Sequence, residues 1–204
     1  MTRFILVRHG QTEWNRVERF RGRADMPLND TGRNQARRAG ARLAREKIAA
    51  VYASPLARAM QTAEPIAEPH RLRVVAEAGL LDIDYGVWEG RTPDEVANEN
   101  PKRYGQWLTQ PERVKIPKGE SLRDVRARTC GAVETLAEKH KSETIVLVSH
   151  KIVCKVLLCA ILGLSDRAIW RIEQDTAAVN IFGKRQDGFV VVTVNDTSHL
   201  DRSV

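Results

Sequence analysis

The sequence predicts an α/β fold: a three-layer α/β/α sandwich around a mainly parallel sheet. Three observations carry that expectation. First, apolar runs of strand length end abruptly in polar residues: Phe4-Ile5-Leu6-Val7 before Arg8-His9-Gly10, residues 49–53 before Ser54-Pro55, and residues 144–149 before His150. Second, helical patterns lie between these runs, and strands alternating with helices argue a parallel sheet covered on both faces. Third, 204 residues with 42% hydrophobic content suit one folded domain with a sizeable core, 1–204, carrying a lid-like insert at about 92–118.

The elements follow in order. Residues 3–8 read as a buried strand, and a polar loop with Gln11, Thr12, Asn15, Arg21 and Gly22 comes next. Asn29, Asp30 and Thr31 are able to cap a helix whose buried stripe is Ala36, Ala39, Gly40, Leu43 and Ile48. After the strand at 49–53, a helix runs from about Leu56 toward Ile66, with Ser54 or a neighbour as its cap and Pro55 near its first turn. Residues 73–76 read as a strand, and Leu80–Arg91 as an irregular acidic stretch. Thr92-Pro93-Asp94-Glu95 is a capping box with proline at the first helical position. Four prolines between 92 and 118 argue against sheet there. Ser121 opens a long helix, 144–149 is a second fully apolar strand, and a helix rich in Val, Leu and Ile spans 152–162. Residues 178–182 and 189–194 read as a hairpin across Asp187-Gly188.

Composition excludes several classes. No apolar run approaches the roughly 20 residues needed to span a bilayer, and the N-terminus reads as a strand rather than a signal peptide. Cys130, Cys154 and Cys159 give neither a disulfide framework nor a zinc knuckle and read as core fillers, which fits a cytoplasmic protein. The net charge of +7 fits nucleic acid or an anionic small substrate. Arg33, Arg37, Arg38, Arg42 and Arg45 fall on the polar side of one helix and read as a solvated face. No basic patch interleaved with aromatics appears, so no nucleic-acid partner is expected, and no membrane. His70 and His140 read as exposed histidines without a role, and Trp14 and Trp88 as packing residues.

Two histidines, His9 and His150, stand at the carboxyl ends of buried-type strands, where open α/β sheets place their ligands. If the strands are neighbours, the two share a crevice. Arg8 offers a fixed-charge fork for an anion. Arg58 lies near the start of a helix, whose free amides and dipole favour phosphate. Asp82 and Asp84 lie in the acidic loop, where a carboxyl group is able to protonate a leaving oxygen.

The motifs together resemble the histidine phosphatase superfamily, also called phosphoglycerate mutase-like. The matching residues are Arg8-His9-Gly10-Gln11-Thr12 with Trp14-Asn15, Leu28-Asn29-Asp30-Thr31-Gly32 with Gln35-Ala36, and Ser54-Pro55-Leu56-Ala57-Arg58-Ala59 with Gln61-Thr62-Ala63. Tyr85-Gly86-Val87-Trp88-Glu89-Gly90, Gly119-Glu120-Ser121 and Val148-Ser149-His150 complete the set. The matches keep the family's order from residue 4 to about 165.

The resemblance implies a metal-independent phosphatase with no cofactor. It implies a phosphohistidine intermediate on His9, with Arg8, Arg58 and His150 around the phosphoryl group, and a small phosphorylated metabolite as partner. Asn15, Arg21 and Gly22 stand where relatives contact substrate. Arg21 departs from the usual Gln or Thr and is suited to a second anionic group such as a carboxylate. The proton donor is expected to be Asp82, where family members of this type usually carry Glu, with Asp84 in reserve. Acidic neighbours, Asp84 and Glu89, together with a bound phosphate, are expected to favour its protonated form. The ending Asn195-Asp196-Thr197-Ser198-His199-Leu200 resembles the tail of metal-independent phosphoserine phosphatases, which implies that His199 helps close the pocket. The resemblance also allows a homodimer. The alternatives are a phosphoglycerate mutase-type phosphotransferase, a metal hydrolase using His9, His150 and Asp82, and a basic binding module. The short insert and the loop after His9 disfavour the mutase. The absence of local ligand spacing disfavours the metal hydrolase.

Overall fold

The computed structural model describes residues 1–200. In chain order its elements are β1 (Thr2–Arg8), the one-turn α1 (Glu13–Arg16), α2 (Asp30–Leu43), β2 (Ile48–Ala53), α3 (Ala57–Ala67), β3 (Val74–Ala76), α4 (Pro93–Glu99), α5 (Pro101–Thr109), α6 (Leu122–Lys139), β4 (Thr144–Ser149), α7 (Lys151–Ile161), β5 (Val179–Arg185) and β6 (Gly188–Asp196). They form one six-stranded sheet in the order β3-β2-β4-β1-β5-β6. The first four strands in that order are parallel, and the β5–β6 hairpin adds antiparallel to β1. The α/β/α class with a mainly parallel sheet is therefore the observed one.

Both sheet faces are buried because the strands alternate large apolar side chains with no polar face. Ile5 and Val7 of β1, with Val146 and Val148 of β4, pack against Ala39 and Leu43 of α2 and Ala59, Ala63 and Ile66 of α3. Phe4 and Leu6, with Ile145 and Leu147, face the other way, onto Val133 and Leu136 of α6 and Cys154 and Leu157 of α7. Burying one such Leu or Phe contributes roughly 1.5–3 kcal/mol. A third cluster joins the 93–118 segment to this frame: Trp107, Val114 and Ile116 pack with Trp88 on Leu122 and Val125 of α6 and Val153 and Val156 of α7. That cluster places Pro93 and Trp107 beside the carboxyl edge of the sheet.

Helix starts follow the residues that cap them. Asn29 accepts from the Gly32 amide, Thr92 and Glu95 form a capping box ahead of Pro93, and Ser121 pairs with Asp124. The start of α3 differs from the sequence expectation. Its N-cap is Leu56, without a side-chain cap bond, and the Ala57 amide donates 2.7 Å to Asp25, 32 residues upstream. Ser54 Oγ only accepts from the Leu56 amide at 3.4 Å. A long-range carboxylate has taken the cap's place, which local sequence does not reveal.

Two surface expectations also change. His140 is half-buried: Tyr52 Oη lies 2.8 Å from its Nε2, and Glu143 2.6 Å from its Nδ1. His70 is half-buried as well. Arg42 is more than part of a solvated face, since it ion-pairs with Asp196 and holds the end of β6 against α2.

Candidate active site

The register of the parallel pair β1 and β4 sets Arg8 opposite Ser149. The next residues, His9 and His150, therefore leave the sheet level with each other. The His9 amide donates 2.9 Å to the Ser149 carbonyl, and the two imidazoles stand 5.1 Å apart, tilted by 55°. Both residues are fully buried.

Their hydrogen bonds assign opposite tautomers. His9 Nδ1 lies 2.7 Å from the Gly10 carbonyl, which accepts only, so Nδ1 carries the proton and Nε2 keeps its lone pair. His150 Nδ1 accepts 3.2 Å from Arg58 Nε, whose proton is permanent, so the His150 proton is on Nε2. Both Nε2 atoms are buried without a protein partner. One is a nucleophile with a free lone pair, and the other is a hydrogen-bond donor beside it. Burial first, then the charges of Arg58, Arg8 and Arg21, hold the His9 pKa well below the usual imidazole value. Burial and then Arg58 do the same for His150.

Arg58, at the start of α3, is fully buried and organises these groups. Besides His150 it donates 2.8 Å to Ala24 O, 2.8 Å to Gly22 O and 3.1 Å to Asp82 Oδ2. Four of its five N–H donors are thus committed, and one on Nη1 remains for a ligand. Arg8 is the converse. Its Nη1 donates 2.5 Å to the Gln174 carbonyl, while its buried Nε has no protein partner. The Nε–Nη2 edge, the one suited to a tetrahedral anion, is free. Burial followed by the Arg21 charge lowers the Arg8 pKa to about 10, so Arg8 stays charged at neutral pH.

Asp82 is 5% exposed. Its Oδ1 accepts from the Ile83 amide and its Oδ2 from Arg58, with His150 Nδ1 3.6 Å away. The expected acidic neighbours face elsewhere: Asp84 Oδ1 accepts from the Gly86 amide and Glu89 from the Arg23 amide. Asp82's close ionic partner is a cation, because the turn at Gly86 and the backbone at Arg23 draw the other two carboxylates to amides.

A cavity of about 410 Å³ opens onto this arrangement. Arg8, Asn15, Arg21 and Asp82 line it, together with Lys151, Trp107 and Trp170. Asn15 Oδ1 accepts from both the Thr12 amide and Thr12 Oγ, which leaves its NH₂ group for a ligand. Arg21 donates only to backbone carbonyls, of Trp14 and Arg19, and its buried Nε is unpartnered. The fully buried His9, Arg58 and His150 are not themselves lining residues and meet the cavity through Arg8 and Asp82, and Gly22 and His199 are not among the lining residues either. Gly22, with φ +49°, presents its carbonyl to Arg58 and so acts through that contact. His199 lies against Arg42, Nδ1 to Nη1 3.3 Å, because Arg42 gathers Asp196, Ser198 and His199 onto α2. Asp84 is also outside the cavity wall.

Residues 4–197 match the family model of the histidine phosphatase superfamily, branch 1.

The chain belongs to the histidine phosphatase superfamily. It is 35% identical over 200 residues to phosphoserine phosphatase 1 of Hydrogenobacter thermophilus, covering 98% of this chain and 95% of that one. Among solved structures it is similar to Bacillus stearothermophilus YhfR, with 32% identity, a TM-score of 0.94 and coverage of 98% and 100%. It is also similar to a phosphoserine phosphatase variant from Entamoeba histolytica in complex with phosphoserine, with 27% identity, a TM-score of 0.89 and coverage of 98% and 100%. Membership supports phosphatase activity on a phosphoric monoester. No helix among the described residues is long and apolar enough to cross a membrane.

The superfamily assignment leaves the two buried imidazoles with a measurable consequence. Their folded pKa values lie below the unfolded value of about 6.5. As pH falls through 6.5 the unfolded chain takes up protons that the folded one refuses, so stability is complete above that point and declines below it. The expected decline is up to about 1.4 kcal/mol per pH unit for each histidine. Urea unfolding at pH 7, 6 and 5 reads it. Stability that is flat across that range would contradict the assignment of two neutral imidazoles.

Sequence reading missed Lys151, Trp107 and Trp170, which line the cavity. The tryptophans arrive from distant segments and carried no local signal. Lys151 did carry one: a cation at the first position of α7, directly after His150.

Proposed function

We propose that this chain is a metal-independent phosphomonoesterase that hydrolyses a small phosphorylated metabolite through a phosphohistidine on His9. The observation that supports this most directly is the pair of complementary tautomers, each presenting an unpartnered Nε2 in one buried site. The substrate enters as its monoanion and gives its proton to the Asp82 carboxylate. His9 Nε2 attacks phosphorus, the N–P bond forms and the ester P–O bond breaks, and Asp82 passes that proton to the departing alkoxide. A water then attacks phosphorus, Asp82 recovers a proton from it, and the N–P bond breaks to release phosphate. The free edge of Arg8, the His150 Nε2–H, the last N–H of Arg58 and the Asn15 NH₂ take the non-bridging oxygens, and positioning with charge stabilisation is most of what phosphoryl transfer requires. Arg21 is placed for a second anionic group of the substrate.

The concentration of Arg8, Arg21 and Arg58 also opposes a catalytic metal ion at His9, His150 and Asp82, because a cation there meets three fixed positive charges. The experiment is a rapid quench with labelled phosphomonoester in excess chelator. The expected result is full turnover, release of inorganic phosphate rather than transfer to added phosphoglycerate, and a phosphoryl label on the protein that is stable in alkali and lost in acid. Loss of activity in chelator restored by a divalent ion would overturn the metal-independent reading. An unlabelled protein during steady turnover would overturn the covalent one.

A further inference from the structure

We infer that Lys151 is a specificity-determining residue, forming with Arg21 a subsite for a second anionic group on the substrate, separate from the phosphoryl site. The inference rests on the phosphomonoesterase reading for its chemistry, and on the cavity alone for its geometry.

Lys151 occupies a position that its own helix disfavours. It is the first residue of α7, and no acidic residue shares that first turn. A helix N-terminus is the positive end of the dipole, so a lysine there is repelled rather than held. Four residues on, Lys155 is buried against the ring of Trp170, with Nζ 5.3 Å from the centroid, and adds a second like charge on the same helical face. Local rules thus argue against a lysine at 151, and conflicts of this kind concentrate where function requires them.

No carboxylate among the described residues pairs with it. Among the described residues the Lys151 side chain has neither hydrogen bond nor ion pair. The acidic residues that act on it, Glu173 and Asp175, are exposed and form no ion pair with it, and Asp175, which also lines the cavity, already accepts from Asn195. Meanwhile Lys151 is half-buried and lines the same cavity as Arg8 and Arg21. Burial, and then the Arg8 charge, lower its pKa from the ordinary lysine value.

The division of cations completes the argument. Arg8 presents its free edge at the end of β1, next to His9, and is taken by the phosphoryl group. Arg19 already has Glu95 at 3.6 Å and the Gly90 carbonyl. Arg21 and Lys151 remain on the cavity wall with no ion-paired carboxylate among the described residues. A phosphomonoester carrying a carboxylate or a second phosphate supplies one.

The test compares 3-phosphoglycerate, glycerol 3-phosphate and propane-1,3-diyl bisphosphate. The first two differ only in a carboxylate against a hydroxymethyl group; the third carries a phosphate ester at that end and no central hydroxyl. For wild type and Lys151→Met, kcat/KM is measured for all three. Dissociation constants are measured for the same lysine change in a His9→Ala background, where nothing is turned over. The proposal expects the preference for the doubly anionic compounds over glycerol 3-phosphate to fall by about 10- to 100-fold in both measurements, through KM rather than kcat. Lys151→Arg is expected to restore most of it. The compound losing more identifies the second anion. An unchanged preference, or equal weakening of all three compounds, would overturn the subsite. The binding measurement keeps its meaning even if His9 proves not to carry phosphate, so the two readings fail separately.

Discussion

His9→Ala is expected to lose turnover of every phosphomonoester, by about 10⁴-fold or more, while still binding them. The size of the loss follows from the number of things that one nitrogen does. Among the described residues, His9 Nε2 is the only lone pair in the site that is both unpartnered and kept neutral by burial and three arginines. His150 cannot replace it, because Arg58 Nε holds its Nδ1 and so fixes the proton on its Nε2. Water in the space of the lost ring is a far weaker nucleophile than a neutral imidazole, and the covalent route that splits the displacement into two easier steps is gone. Binding survives for the complementary reason. The Arg8 edge, the His150 N–H, Asn15 and Arg21 are all held by elements other than the lost side chain. Steady-state assays with inorganic phosphate detection, and titration of the variant with a phosphomonoester, read the two halves. A variant retaining more than about 1% of kcat would remove His9 from the covalent role, given the scale of losses when a nucleophile is deleted.

Much of this arrangement could be read from the chain, for a definite reason. His9 and His150 each end a short run of buried residues, and both runs are local patterns. The one non-local step is that β1 and β4, which are not consecutive in the chain, are neighbours, and no local pattern reveals it. Arg58 was visible as a residue near a helix start, but its four protein bonds were not, because Gly22, Ala24, Asp82 and His150 come from three other segments. Its main work is to set a tautomer, and a tautomer is a property of the assembled site. The same limit explains α3, where Asp25 rather than Ser54 meets the first amide. It explains His199 too. Its sequence context places it near the hairpin end but cannot say that Arg42 will draw it to α2. Lys151 was legible in principle, as a charge of the wrong sign at a helix start, but only the cavity makes its position a question about substrate.

Asp82→Asn is expected to slow alkyl phosphates by about 10²–10⁴-fold and activated aryl phosphates far less. The contrast arises because the two substrates ask different things of the leaving oxygen. An alkoxide is too basic to depart without a proton, whereas a nitrophenolate departs unaided. Among the described residues, Asp82 is the one carboxyl group on the cavity wall that is within reach of both Arg58 and His150. Asp84, which is tied to the Gly86 amide outside the wall, offers no substitute. The substitution to Asn is close in shape and preserves acceptance from the Ile83 amide, so the loop should keep its course. It also removes the charge that faces Arg58, and this provides a second readout. Freed from Asp82, the Arg58 Nη2 gains a donor for the phosphoryl group, so KM for both substrate types is expected to hold or fall while kcat for the alkyl ester collapses. Plotting log kcat against the leaving-group pKa over a series of esters joins the two effects. The wild-type line is expected to be shallow, because the proton arrives with the departing charge, and the variant line steep. Parallel lines displaced by a constant factor would mean that Asp82 positions Arg58 and His150 and that the proton comes from another source.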